Sequence, residues 1–226
     1  KDGYQVGVVG RRKEKLKELE RSLPTKVWAK SIDVSLPGAE KKISKLIQKM
    51  NGVDLVVVSI MSYRDLLSAP TKFLNKMLQQ KCVLDTDLMG FWRVATAALE
   101  YFEEKKEGHF VGVSSTEALR GRVDQDPSYP ASKAFLSRYL LAKRDYYEHK
   151  NIPINVMDVL PGYVELEWKK SPKHVFWQAT REQAAKDILD GIKAKKKKIY
   201  TLKKNRLLAW SYAIIPDRLF SWMGGY

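Results

Sequence analysis

The chain has 226 residues, 44% of them hydrophobic and 30% charged, which suits one α/β domain with a buried core and excludes a disordered chain. Its formal charge of +15 favours anionic partners without choosing among nucleic acid, a membrane surface and a phosphorylated ligand. The single Cys82 excludes an internal disulfide framework and fits a reducing compartment such as the cytoplasm, as it also fits a secreted protein without disulfides, and no apolar run is long enough to span a membrane.

In chain order, short β-branched runs alternate with amphipathic stretches. YQVGVV (4–9), KVWAK (26–30), DLVVVSI (54–60), HFVGVSS (109–115), INVMDVL (154–160) and IYTL (199–202) are expected to be strands. Segments 11–22, 36–51, 71–105, 128–150 and 180–194 are expected to be helices. The strands are too continuously apolar for burial on one face, so the expectation is a doubly wound parallel sheet with helices on both faces. Nothing in the composition marks a second domain, so residues 1–226 are expected to form one domain, with 203–226 as an apolar and basic tail. The lysines fall mostly on helix-like segments and interleave with glutamate, as solvated helix faces do.

Open parallel sheets bind ligands beyond the carboxyl ends of their strands. There the sequence places Gly10, Arg11 and Arg12, then Asp33 and Val34, then Ser59 to Met61, then Ser114 and Ser115, then Pro161 and Gly162. Fourteen residues after Ser115, SYPASK places Tyr129 and Lys133 one helical turn apart. Tyr-x-x-x-Lys also occurs at Tyr101/Lys105, Tyr139/Lys143, Tyr146/Lys150 and Tyr200/Lys204, so the pattern alone carries little information. Only Tyr129/Lys133 follows a strand ending in Ser-Ser. A lysine ammonium favours the phenolate of a nearby tyrosine and so suits it to moving a proton at a carbonyl or alcohol oxygen. A serine hydroxyl from another element can orient that oxygen.

These segments resemble the short-chain dehydrogenase/reductase family. The resemblance rests on VVGRR (8–12), IDV (32–34), DLVVVS (54–59), DLMGF (87–91), VGVSSTEALRG (111–121), SYPASKAF (128–135) and VLPGYV (159–164), in the family's order. It implies a Rossmann-like sheet and hydride transfer between a carbonyl/alcohol substrate and a nicotinamide. It also implies Tyr129 as acid/base, Lys133 as its partner and ribose anchor, and Ser115 as the substrate-orienting hydroxyl. Ser114 and Thr116 remain open as the working hydroxyl, because the interval to the tyrosine is one residue longer than usual. Asp87 stands where the family has an asparagine, and both a catalytic and a structural role stay open for it. Arg11 and Arg12, with no carboxylate beside them, point to the 2′-phosphate of NADP(H) rather than to NAD(H). By resemblance Asp33 and Val34 line the adenine pocket, while Ser59, Pro161, Gly162 and Val164 border the cofactor. No metal is expected.

The chain departs from the family in three places. The glycine-rich first βα unit has no counterpart, and without its strand a gap of roughly 10 Å would separate the runs at 4–9 and 54–60. On the order of 20–25 further residues upstream of KDGYQ, one βα unit, are therefore expected. The third strand continues into VSIMSYRDL where the family has Asn-Asn-Ala-Gly, and Leu166 stands where it often has a threonine. Loop 164–179 carries Trp168, His174, Phe176 and Trp177, which suits a bulky or apolar substrate.

The tail KKNRLLAWSYAIIPDRLFSWM follows KKKK (195–198). It suits packing on the body or on a second subunit; the alternative is that it lies in a membrane interface. Homodimers or homotetramers through the long helices are what the resemblance implies. The leading reading is an NADP-dependent carbonyl/alcohol oxidoreductase; the alternative is a catalytically inactive NADP(H)-binding sensor or scaffold. A specific nucleic-acid binder ranks last, since no aromatic-basic interleaving occurs.

Overall fold

The structure, a computed structural model, describes residues 3–62, 73–121, 126–165 and 177–222. Strand β1 (Val6–Gly10) leads through helix α1 (Lys13–Ser22) to β2 (Val27–Ser31), and the two strands pair in parallel. Helix α2 (Ala39–Lys49) follows, then β3 (Leu55–Val58), α3 (Phe73–Val83), a π-helical segment (Leu84–Gly90) and α4 (Phe91–Lys105). Next come β4 (Gly108–Val113), a 3-10 turn (Thr116–Ala118), α5 (Ser128–His149) and β5 (Ile154–Leu160). The chain closes with β6 (Tyr163–Val164), β7 (Gln178–Ala179), α6 (Arg181–Lys193), β8 (Lys198–Tyr200), α7 (Lys203–Ile214) and α8 (Asp217–Trp222).

The second sheet runs β3-β4-β5-β8, with every neighbouring pair parallel. Burial explains why β4 and β5 read as unbroken apolar runs: Phe110, Val111, Met157, Val159 and Leu160 are fully buried. Among the described residues no strand joins β1 to β3. The two sheets are instead held from one side by helices. On α2, Ala39, Ile43 and Ile47 recur every four residues and face the core. On α4, Phe91, Ala95, Ala98, Leu99 and Phe102 do the same. Both helices share one apolar cluster with Ile32 beyond β2, Val58 of β3 and Phe110 of β4. Away from that cluster β3 is less covered than the sequence suggests, and Val57 is 45% exposed.

Two differences from the sequence-based expectation bear on the site. Segment 71–105 is not one α-helix: its ends at 71–72 lie outside the described residues, and a π-helical segment at 84–90 interrupts the rest. The interruption turns Asp87 fully inward, where it takes a backbone hydrogen bond from Ser62, and sets Gly90 against Val34. A Cβ on Gly90 would come 2.8 Å from Val34 Cγ2, so only glycine permits that approach. The other difference is the short parallel pair β6–β7, with Tyr163 opposite Gln178 and Val164 opposite Ala179. It ties together the two ends of the aromatic-bearing loop 164–179. Leu166, Trp168, His174 and Phe176 lie outside the described residues, while Trp177 is 38% exposed.

Candidate active site

Because the strands within each sheet are parallel, the polar residues that follow them gather at their carboxyl ends. Lys133 is the centre of the arrangement. It sits on the second turn of α5, 2% exposed, and its Nζ donates to the Ile60 carbonyl just beyond β3 at 2.7 Å. Asp87 Oδ2 lies 3.5 Å from the same Nζ, while Asp87 Oδ1 accepts from the Ser62 amide at 2.8 Å. The ammonium also stands 5.5 Å from the centroid of the Tyr129 ring. Burial pushes the Lys133 pKa down, and the Asp87 carboxylate works against that shift. One side chain thus joins the end of β3, the π-helical segment and the turn of α5 that carries Tyr129.

The other Tyr-x-x-x-Lys pairs are engaged differently. Lys105 binds Asp54 at 2.6 Å, Lys143 pairs with Glu103 at 3.3 Å, and Tyr139 stacks on Phe135 and meets Phe91 edge-on. Tyr146 is 49% exposed with its ring edge-on to Tyr147.

Ser115 is buried at the end of β4 and caps the 3-10 turn, its Oγ accepting from the Glu117 amide at 3.1 Å. That turn packs on α5. It is also pinned to the loop after β5, where the Thr116 amide donates to the Pro161 carbonyl at 2.9 Å. The start of α5 is fixed by Asp126, whose carboxylate accepts from the Ser128 amide at 2.9 Å and from Gln80 Nε2 of α3 at 2.8 Å. Ser114, left open as a candidate for the working hydroxyl, is committed elsewhere. Its Oγ donates to Asp158 Oδ1 at 2.5 Å and approaches the Val159 carbonyl at 3.1 Å. Asp158 Oδ2 in turn accepts from Ser137 Oγ of α5 at 2.6 Å. This 2% exposed carboxyl therefore clamps the segment just past β4, which leads into Ser115, to the helix bearing Tyr129 and Lys133. Sequence reasoning passed over Asp158, although a carboxylate inside the apolar run INVMDVL was a signal, since a buried acid needs partners.

The remaining candidates surround this core. Arg11 and Arg12 are exposed immediately after β1. Asp33 Oδ1 accepts from both the amide and the hydroxyl of Ser35; burial alone would raise its pKa, but those bonds and the Arg11 charge hold it below the usual range. Val34 packs against Gly90, Ser59 is exposed after β3, and Val164 belongs to β6. Gly162 lies against Asn205 of α7, where a Cβ would come 2.4 Å from Nδ2. The donor set fits a nicotinamide dinucleotide. Lys133 Nζ has three donors, one of them spent on Ile60, which leaves capacity for a ribose hydroxyl beside Tyr129. Buried Ser62 Oγ has no hydrogen-bond partner among the described residues, and the two arginines suit phosphate.

Comparison with known proteins bears on the family and the fold. The short chain dehydrogenase family profile matches residues 1–175. An uncharacterized oxidoreductase of Myxococcus xanthus is 28% identical over 171 residues, covering 73% of this chain and 64% of that protein. An NADP-dependent 3-hydroxy acid dehydrogenase of Escherichia coli O6:H1 is 25% identical over 167 residues, covering 72% and 63%. The chain thus spans about 64% of the length of the curated relatives it matches. A solved 7beta-hydroxysteroid dehydrogenase superposes with a TM-score of 0.76 at 17% identity, over 99% of this chain and 88% of that one. The architecture is Rossmann-like, with parallel strands and flanking helices. The chain belongs to the short-chain dehydrogenase family.

Proposed function

We propose that the protein is an NADP-dependent oxidoreductase that interconverts a carbonyl and an alcohol, with Tyr129 as the acid/base. The observation that carries this reading is the buried Lys133 ammonium, anchored on the Ile60 carbonyl and Asp87 and held 5.5 Å from the Tyr129 ring. A fixed positive charge at that distance stabilises phenolate relative to phenol, so the Tyr129 hydroxyl can release or take up a proton at the substrate oxygen. Ser115 presents a hydroxyl on the neighbouring turn to orient that oxygen. Asp87 opposes the effect of burial on Lys133, and Asp158 keeps the two halves of the site in register.

A bound nicotinamide supplies the hydride. Lys133 would hold its ribose, Arg11 and Arg12 the 2′-phosphate, and Asp33 and Val34 the adenine, with Ser59, Pro161, Gly162 and Val164 along its border. The NADP-dependent relative from Escherichia coli supports the choice of cofactor. The substrate is a small carbonyl or alcohol compound of bulky or apolar character, in keeping with exposed Trp177 near the loop's end. A homo-oligomer through α4 and α5 is part of the reading, since these helices expose Trp92 and Phe135, and so is a cytoplasmic location.

The test is fluorescence titration with NADPH and NADH. NADPH is expected to bind more tightly, and an Arg11→Glu/Arg12→Glu double variant is expected to lose about tenfold of that preference. Binding of neither nucleotide would overturn the proposal.

A further inference from the structure

The tail ends in two helices whose outer surfaces are apolar. Leu207, Trp210 and Ile214 recur at three- and four-residue intervals along α7 and are 68%, 47% and 78% exposed. Leu219 and Trp222 continue the surface on α8, at 46% and 83% exposed. The opposite side is fastened to the body. Asn205 and Ala209 are buried, and Asn205 Nδ2 donates to the Thr201 carbonyl at 2.7 Å. Arg120, just past the 3-10 turn after Ser115, donates to the Ile215 carbonyl, pairs with Asp217 at 2.6 Å and lies 4.0 Å from the centroid of Phe220. The tail therefore has a fixed orientation, with its apolar stripe directed to solvent beside the candidate active site.

Charge identifies what covers the stripe. Residues 191–222 contain one carboxylate besides their many cations, Asp217, and it is paired with Arg120. On the two helices themselves Lys204 and Arg218 are exposed, and exposed Arg206 lies 4.4 Å from the centroid of Trp210. A second copy seated face to face would bring these cations against their own kind, at a formal charge of +15 per chain. An anionic bilayer satisfies both features: its headgroups meet lysine and arginine while tryptophan, leucine and isoleucine enter the acyl boundary. No described helix is long and apolar enough to cross a membrane, so the element lies on the surface.

We propose that α7 and α8 form a docking face for anionic lipid bilayers. Asn205 touches Gly162 and Arg120 follows the Ser115 turn, so docking sets the candidate site next to the bilayer. The docking itself does not depend on the enzymatic reading.

The experiment is flotation of the protein with phosphatidylglycerol/phosphatidylcholine vesicles and with pure phosphatidylcholine vesicles, at low and high salt. The wild type is expected to float with the anionic vesicles at low salt and to bind the neutral ones about tenfold more weakly. A Leu207→Glu/Ile214→Glu variant is expected to bind at least about tenfold more weakly with an unchanged unfolding midpoint, since both positions are exposed. Equal binding to neutral vesicles, undiminished binding by the variant, or a lipid-free dimer that the variant dissolves would each overturn the proposal.

Discussion

Replacing Asp158 tests the clamp between β4 and α5. Its carboxyl accepts two hydroxyl hydrogen bonds, from Ser114 at 2.5 Å and Ser137 at 2.6 Å, in a 2% exposed position. Each such bond contributes about 1–1.5 kcal/mol net, so losing both in Asp158→Ala removes roughly 2–3 kcal/mol. Part of this is offset, because Ser114 keeps the Val159 carbonyl at 3.1 Å and alanine relieves the cost of burying a carboxyl. A loss of about 2 kcal/mol is expected, or roughly 4–8 °C in melting temperature for a chain of this size. Asp158→Asn retains one acceptor and can donate to the other serine, so it should cost less than about 1 kcal/mol.

The same carboxyl gives a pH signature. Burial raises its pKa, against opposing contributions from Ser114, Ser137, Lys198 and Arg144. A folded value above the unfolded one means that its stabilising contribution is fully present below the unfolded pKa of about 4 and is lost as pH rises through the folded value. Relative to Asp158→Asn, the wild type should therefore lose stability as pH rises from about 4. Urea unfolding of the three proteins across pH measures all of this. An alanine variant as stable as the wild type, or an asparagine variant with the wild-type pH slope, would refute the reasoning.

Asp87→Asn keeps an acceptor for the Ser62 amide but leaves Lys133 buried without its counter-charge. A loss of about 3 kcal/mol or more is expected in urea unfolding, with Asp87→Asn/Lys133→Met recovering much of it. Gly108→Ala should destabilise severely, by about 3 kcal/mol, because the added Cβ would come 2.2 Å from the Phe102 ring, itself fully buried; a thermal melt reads this directly.

The strands were legible because β4 and β5 are buried on both faces and carry unbroken apolar runs. The sequence also singled out Tyr129/Lys133 among five identical spacings, because only that pair follows a strand ending in Ser114-Ser115. The structure brings Lys133, Tyr129 and Asp87 together, with Ser115 on the turn packed against their helix. What holds them there was not legible. The Ile60 carbonyl and the Ser62 amide are backbone groups, which any residue type offers. The π-helical segment leaves no periodicity signal over one turn. Gly90 works through an approach to Val34, 56 positions away in the chain, which spacing rules do not reach. Residues 163–164 and 178–179 are too short to read as strands, yet they close the loop's ends.

The central claim is that Tyr129 moves the proton. NADPH oxidation by wild type and by Tyr129→Phe, measured against a panel of ketones and aldehydes with NADPH affinity recorded alongside, tests it most directly. The account predicts turnover by the wild type, a loss of at least about 10²-fold in the variant, and unchanged NADPH affinity. Equal turnover by the two proteins, or NADPH binding with no turnover of any substrate by either, would contradict it and favour a cofactor-binding sensor of the same fold.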